Sequence, residues 1–546
     1  MKSGTSFFNG TAFRKNITRF FPVWSIYLIG CIVVLVSILS EFQPSMALRD
    51  LGYTLCLMAV VNMIYAMTCG VMLFGDLFHS RLCNAIHAMP LRREGWFLTN
   101  VASGLCFGFV PYLVLALCFI PRLEWHWAAA FVWMLAADLQ FLFFFALAVF
   151  CVFCTGSRFA AALVYGLINF LSLLAGWLID TIYIPLLNGV VFNWDPCHKL
   201  CPVVQLVMNE DYFFWFDKIE RSKGLGGSWV YLIILAVVAV ALLIGSLLLY
   251  RKRKLEYAGD FLAVKRLEPV FHIIYTLTMG TMFHLFHNLF LYESSWIVFL
   301  IVGLVIGYFT GQMLLQRTVR VFQWKTFLGF GILTVVLLVS LGLTKLDPLG
   351  IGTWIPKAEQ VAGMEISCEP YDYYYDRPME FTEEEIPQGQ ELHRQMIEQN
   401  GTGGRRTEIL VRYTLKSGRE VYRQYEILID SPLGQELNRR FSSMEQVLGY
   451  DDWETCLDQL IEARVENSVY TGEKAKELLK AVKADCDAGT MAQEYDFHNG
   501  DTYVWIMFIF KDQDRGMAEV VVTKDAENTV NFLKPREREW LYAYGK

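Results

Sequence analysis

Nine separate stretches of the chain, about 22–40, 52–74, 97–120, 127–154, 159–180, 229–250, 270–292, 296–315 and 326–344, are largely apolar. Each is near the roughly 20 residues that a helix needs to cross the hydrocarbon of a bilayer. A backbone in hydrocarbon must satisfy its own hydrogen bonds, and runs this long do so as helices. The most interrupted run is 270–292, which carries His272, His284, His287 and Asn288. The first run predicts a span rather than a cleavable signal, because its apolar core is too long and no small-residue cleavage site follows. Composition agrees: 55% of residues are hydrophobic and 18% charged, against about 45–50% and about 25% in soluble chains. Disorder, collagen and a soluble metabolic enzyme are disfavoured on this ground.

The net charge of −7 conceals two halves. Residues 1–344 hold 23 Lys and Arg against 16 Asp and Glu, whereas residues 345–546 hold 24 against 38. The expected fold is therefore an all-α polytopic membrane bundle of about nine transmembrane helices, followed by a separate α+β domain over 345–546. That domain's acidity argues against nucleic acid as a partner. With the N-terminus inside, 17 of the 23 cations of the membrane part fall in cytoplasmic segments, as short-loop charge bias requires. Nine crossings then place the C-terminal domain outside the cytoplasm.

Within that domain, residues 409–415 and 420–429 alternate around Lys416-Ser417-Gly418-Arg419, the pattern of a hairpin. Residues 505–510 and 520–522 read as further strands, 471–485 as a helix, and Glu383-Glu384-Glu385 as a solvated face. Cys197 and Cys201 share the loop 181–228. Unpaired thiols are the simplest reading there; a local disulfide and a metal site with His198 are the alternatives.

Three short segments carry more than hydropathy. Residues 1–21 form an amphipathic stretch in which Phe13, Ile17 and Phe20 face one way and Arg14, Lys15 and Arg19 another, suited to lie along the interface. Residues 76–90 are too polar to span; Leu77, Phe78, Leu82 and Ile86 predict one apolar helix face that Pro90 ends, with Arg81 and Arg92 close by. An exposed apolar stripe on a short helix needs a groove to enter, or its own bundle to pack on. Arg251-Lys252-Arg253-Lys254 follows the sixth stretch and leads into Glu256-Tyr257-Ala258-Gly259. Such a cluster anchors a helix end and attracts anionic lipid.

Across residues 5–260 the chain resembles a permease subunit of a bacterial ATP-binding-cassette exporter. The resemblance rests on His79-Ser80-Arg81, Ala88-Met89-Pro90-Leu91-Arg92-Arg93, Gly104 and Pro111, and Tyr250 to Gly259. It implies a six-span exporter-permease core over 22–260, with residues 76–90 as the coupling helix that docks into the ATPase. It also implies an outer loop at 181–228, whose Tyr212-Phe213-Phe214-Trp215-Phe216 cluster fits a loop dipping back into the membrane. The implied setting is the bacterial plasma membrane, with an ABC ATPase subunit and a second permease, as homodimer or heterodimer, for partners. The three spans of 261–344 and the 345–546 domain exceed that core. Asp347-Pro348-Leu349-Gly350 and Asn528-Thr529-Val530-Asn531-Phe532-Leu533 resemble tails attached to such permeases.

The chain has no Gly-x-x-x-x-Gly-Lys-Ser/Thr phosphate loop, so ATP and Mg are expected in the partner and no cofactor in this chain. Asp138 interrupts the fourth span, where a carboxylate must face protein or water. A buried bond to Asn62 or Asn169 is one expectation, a substrate or proton role the other. His284 and His287 share a helix face but lack a third metal ligand, so a polar patch is expected. No catalytic constellation can be assembled. Two other functions fit parts of the chain: a membrane-anchored sensor or ligand-binding protein, and a proton-coupled carrier built on Asp138. The many spans weigh against the first and the lack of an internal repeat against the second.

Overall fold

The computed structural model describes residues 8–41, 47–88, 92–120, 127–208, 227–253, 255–290, 296–368, 378–399, 406–449, 452–465, 468–491, 504–511, 517–522, 524 and 526–538. The chain divides into two compact units, one of Met1–Asp180 with Asn193–Leu337 and one of Thr181–Phe192 with Leu338–Lys546.

The first unit is helical. It begins with α1 (Gly10–Arg19) and α2 (Phe21–Glu41), which meet at a 59° bend. Asn9 caps α1 by accepting a bond from Ala12 N at 3.0 Å. There follow α3 (Ala47–Leu73), α4 (Ser80–His87), α5 (Arg93–Phe119), α6 (Trp127–Cys154) and α7 (Arg158–Leu178). After the short α8 (Asp195–Leu200) and α9 (Pro202–Val207) come α10 (Gly227–Lys252), α11 (Glu268–Phe290), α12 (Trp296–Gln316) and α13 (Trp324–Leu346). Among the described residues seven helices are long and apolar enough to cross a membrane: α3, α5, α6, α7, α10, α12 and α13. The bent pair α1–α2 would make an eighth. Helix α11 does not meet that measure, because of its polar residues.

Helix α6 is the most enclosed of the seven. Small residues let its aromatics in. A Cβ on Gly104 would lie 2.1 Å from the Phe145 ring, one on Gly108 2.2 Å from Phe141, and Gly70 abuts Ala148. Side-chain-free positions four apart open a helix face to close packing, which is how membrane helices gain contact without a hydrophobic drive between them. The same device joins α11 to α12. Cβ atoms on Gly303, Gly307 and Gly311 would meet Met279 O, Met279 Cβ and the His272 ring at 2.6–2.8 Å, and His272 Nε2 bonds Tyr308 O at 2.8 Å.

The second unit is α+β and contains two four-stranded antiparallel sheets. The first has β1 (Val361–Cys368), β2 (Met379–Phe381), β3 (Arg406–Leu415) and β4 (Glu420–Leu428) in the order β2-β1-β3-β4. Helices α14 (Ile386–Glu398) and α15 (Pro432–Phe441) bury apolar faces in its core. The hairpin turns at Gly418, whose φ of +78° suits glycine. His393 of α14 lies fully buried between the hydroxyls of Tyr413 and Tyr425, each 2.8 Å from a ring nitrogen. Burial pushes its pKa down to about 4, so the ring is neutral near pH 7 and bonds one tyrosine as donor and the other as acceptor.

Short helices α16 (Met444–Leu448) and α17 (Trp453–Gln459) lead into the second sheet. It has β5 (Leu460–Val465), β6 (Ser468–Thr471), β7 (Val504–Phe510) and β8 (Met517–Val522) in the order β6-β5-β7-β8. Helix α18 (Glu473–Ala488) covers it, and α19 (Glu527–Phe532) and α20 (Pro535–Arg538) close the chain.

One piece of the second unit comes from far upstream. Residues 181–192, expected to belong to a single loop 181–228, are built into the first sheet's domain instead. Gly189 O accepts from Gln424 N at 3.1 Å, Val190 bridges Arg423, and Asn188 Nδ2 donates to Ile397 O at 3.3 Å. Gly189 has φ +64°, and a Cβ there would lie 2.1 Å from the Tyr425 ring. Beside it Asp347 accepts from Ile351 N and Gly352 N at 2.7 and 2.8 Å, which closes the Asp347–Gly350 turn. The buried Arg423 holds Ile351 O at 2.8 Å. The Tyr212–Phe216 cluster lies outside the described residues.

Candidate functional site

The residues singled out around positions 76–93 and 249–260 come together at the basic end of the first unit. The chain there does not form one helix with one apolar stripe. Gly75–Phe78 is a 3-10 turn, His79 is extended (φ −115°, ψ 116°), and α4 starts at Ser80. The break turns Leu77 and Phe78 inward, where they are 2% and 6% exposed. Leu82 faces out at 48% exposed, and Arg81 is exposed with it. The expected common face of Leu77, Phe78, Leu82 and Ile86 is therefore split between a buried root and an exposed tip. Neither the Ile86 side chain nor Pro90 is among the described features.

Arg253 fastens this root. Its Nη1 donates to Val152 O at 3.1 Å and Phe153 O at 3.3 Å, and its Nη2 to Leu77 O at 3.4 Å. The last carbonyls of a helix have no partner within it, and a cation at that end also meets the negative pole of the helix dipole. One guanidinium thus ties the end of α6 to the segment before α4, from a position just past α10. Burial lowers its pKa below the ordinary arginine value, and an arginine remains charged in such a site.

A backbone clasp lies beside it. Gly259 N donates to Gly156 O at 2.8 Å, Ala263 N to Cys154 O at 2.8 Å, and Thr155 bridges Leu262. A Cβ on Gly156 would lie 2.3 Å from Tyr257 O and 2.4 Å from Asp260 O, so only glycine fits. Gly259 itself has φ +96°. Arg251 pairs with Glu94 at 3.1 Å and Asp260 with Arg317 at 3.3 Å. Glu256 is exposed, and Arg92 precedes α5 with its side chain outward. Above the clasp, Phe74, Phe97, Phe153 and Tyr250 form an aromatic cluster with ring centroids 5.1–6.4 Å apart. Through these contacts Arg253, Arg251 and the clasp join the ends of α6 and α10 to the start of α5 and to the segment before α4.

Deeper in the bundle is a second polar group of residues. Tyr112 Oη donates to Asn62 Oδ1, Tyr27 Oη lies 3.0 Å from the same oxygen, and the two hydroxyls are 2.6 Å apart. Pro111 has no N–H to give Phe107 O, the carbonyl one turn back, and Tyr65 Oη fills that place at 3.1 Å. Asp138, 9% exposed, bonds neither Asn62 nor Asn169 as expected. The tyrosine hydroxyls occupy Asn62 Oδ1 while Asn62 Nδ2 is unbonded, and Asn169 Nδ2 donates to Tyr165 O at 2.9 Å. Sequence reasoning had no means of finding Tyr27 and Tyr112, which ordinary span composition hides.

On α11, Asn288 links the two histidines: its Nδ2 lies 3.0 Å from His284 Nε2, and its Oδ1 3.1 Å from His287 Nδ1. Among the described residues no group of three or more His, Cys, Asp or Glu is placed to hold a metal. Cys197 and Cys201 are not joined; Cys201 Sγ donates to Asn169 O at 3.2 Å.

Comparison with known proteins adds no relative: no family model, curated protein or solved structure matches this chain.

Proposed function

We propose that the chain is the membrane-spanning permease subunit of an ATP-binding-cassette exporter, coupling ATP hydrolysis in a separate ATPase subunit to export or extraction of a substrate. The observation that carries this reading is the junction at Arg253. A docking tip with Leu82 exposed is rooted by Leu77 and Phe78 in the bundle and bonded to the end of α6. Force applied to the tip by a closing ATPase would reach α5, α6 and α10 as a rigid-body displacement, the kind of movement that switches packed helices between two arrangements. The partners in this reading are an ABC ATPase subunit and a second permease.

The test is co-purification with the candidate ATPase. Leu82→Glu and Arg92→Glu are expected to lower complex yield and stimulated ATPase rate by about tenfold or more, the cost of truncating an interface anchor. Unchanged yield and unchanged stimulation sink the docking assignment.

In the same reading the protein sits in the bacterial plasma membrane with its N-terminus cytoplasmic and its C-terminal unit outside. Residues 181–192 follow α7 and 347 onward follow α13, yet the two pack as one unit and so share one side. An even number of crossings between them is needed. Helices α10, α12 and α13 supply three, which supports α11 as the fourth, its polar groups sheltered against α12 and by Asn288. A protease site inserted at the exposed turn Lys416–Arg419 is expected to be cut from outside intact spheroplasts. Cleavage only after lysis would reverse the orientation.

A further inference from the structure

Asp138 stands on α6 about 16 Å along the axis from Trp127, well inside the hydrocarbon depth. It is 9% exposed, and its Oδ1 is buried with no hydrogen-bond partner. The Tyr112 hydroxyl lies within range of its charge. The hydroxyls of Tyr27 and Tyr112 have two hydrogens between them for three contacts, two to Asn62 Oδ1 and one to each other, so neither hydrogen is left for Asp138. The Asn62 amide nitrogen is also buried and unbonded.

Among the described residues, the helices packed with α6 bring no cation to this depth. Helices α2 and α6 contain no Lys, Arg or His. On α3, α5, α7 and α10 the cations stand in the terminal turns, as Arg49, Arg93, Arg158, Arg251 and Lys252. An unpaired carboxylate at this depth is costly, and such residues line ion or substrate paths. Through Tyr112 it adjoins an aromatic cluster. Tyr27 stacks on Tyr65 with centroids 3.6 Å apart, and Trp133 meets Tyr112 edge-on at 5.8 Å. An aromatic cluster beside an acid that a cation would hold ionised suits a cation with apolar flanks.

We propose that Asp138, beside the aromatic cluster of Tyr112, Tyr27, Tyr65 and Trp133, recognises a positively charged apolar substrate. The inference deepens the permease reading by naming the substrate class. Trp133 and Tyr112 are fully buried, so the occupant enters only when the spans part. Pro111, beside Tyr112, marks where α5 has lost a backbone bond and can bend.

The experiment uses the full chain in nanodiscs and two probes of like size and opposite charge, tetraphenylphosphonium and tetraphenylborate, each corrected for uptake by empty discs. Saturable binding of the phosphonium alone is expected. Asp138→Asn should weaken it by about tenfold or more, the loss that follows removal of one partner of a buried charge pair, while Asp138→Glu should retain it. Equal binding of both probes by the native chain, no saturable phosphonium binding, or unchanged binding by Asp138→Asn each overturns the proposal. Should Asp138→Asn fail to fold, the comparison of probes on the native chain and on Asp138→Glu decides. No ATPase takes part in this measurement. Phosphonium binding without ATPase coupling would sink the permease reading alone, and coupling without phosphonium binding would sink the cation site alone.

Discussion

Replacing Arg253 with Met is expected to destabilise the helical unit by about 2–4 kcal/mol and, in the proposed permease reading, to uncouple it from the ATPase subunit. Methionine keeps much of the apolar stem but leaves Val152 O, Phe153 O and Leu77 O without the donor that now serves all three. Unmade bonds to a charged donor at a partly enclosed helix end account for the size of the effect. The mechanical consequence is separate. Without the guanidinium, the root at Leu77 keeps its apolar contacts but loses its tie to α6, so the tip can tilt without moving that helix. Stimulated ATPase rate should then fall while complex formation persists, which distinguishes this variant from Leu82→Glu. Arg253→Lys should lie between, because an ammonium lacks the planar fork that reaches carbonyls in two directions. Thermal unfolding in detergent and ATPase assays on the co-purified complex measure the two effects. A variant with native melting temperature and native stimulation would show that the junction transmits nothing.

The second large effect is expected at Asp485→Ala, in the C-terminal unit. Asp485 belongs to α18 and is 1% exposed. Its carboxylate accepts from Thr529 N at 2.7 Å, Thr529 Oγ1 at 2.6 Å, Asn528 Nδ2 at 2.8 Å and Asn528 N at 3.1 Å. The first N–H groups of a helix need an outside acceptor and favour a negative one. Here α18 supplies it for α19. Alanine would leave the buried Thr529 N and Oγ1 unpaired, while the exposed Asn528 can turn to water, at a cost of about 2–4 kcal/mol. Asp485→Asn, with one acceptor oxygen in place of two, should cost less than alanine. Hydrogen exchange is the suitable measurement, since it reads residues 527–533 directly. Native-like protection there in Asp485→Ala would refute the assignment.

The long helices were legible because an apolar run of this length, placed in a bilayer, has to be helical, and the described helices lie where the runs lie, although only seven of them are long and apolar enough to cross. The strands of the C-terminal unit were legible where alternation was clean, as at β3 and β4, and the tail motif at Asn528 reads in hindsight as the helix start that Asp485 holds. Gly104 and Pro111 stood out in sequence and prove to be a docking surface for Phe145 and the source of the carbonyl that Tyr65 satisfies. Other features were hidden for definite reasons. The break at His79 has no glycine or proline to announce it, so the inward turn of Leu77 and Phe78 could not be read. The neighbours of Asp138 depend on which spans pair, and pairing leaves no periodic trace. Asp485 and Asn528 meet only through the fold of a separate sheet. Residues 181–192 have neither helical nor strand periodicity and owe their place to contacts far along the chain.

That last segment sets an order of assembly. During synthesis, residues 181–192 are complete long before β4 exists, and the bonds from Gly189 to Gln424 and from Val190 to Arg423 cannot close until the helices from α8 to α14 have been made. The early partner must wait with its backbone unpaired, and the late partner arrives with a vacancy beside Tyr425. Chains that stall before β4 therefore leave Gly189 and Val190 without the backbone partners that hold them in the finished fold.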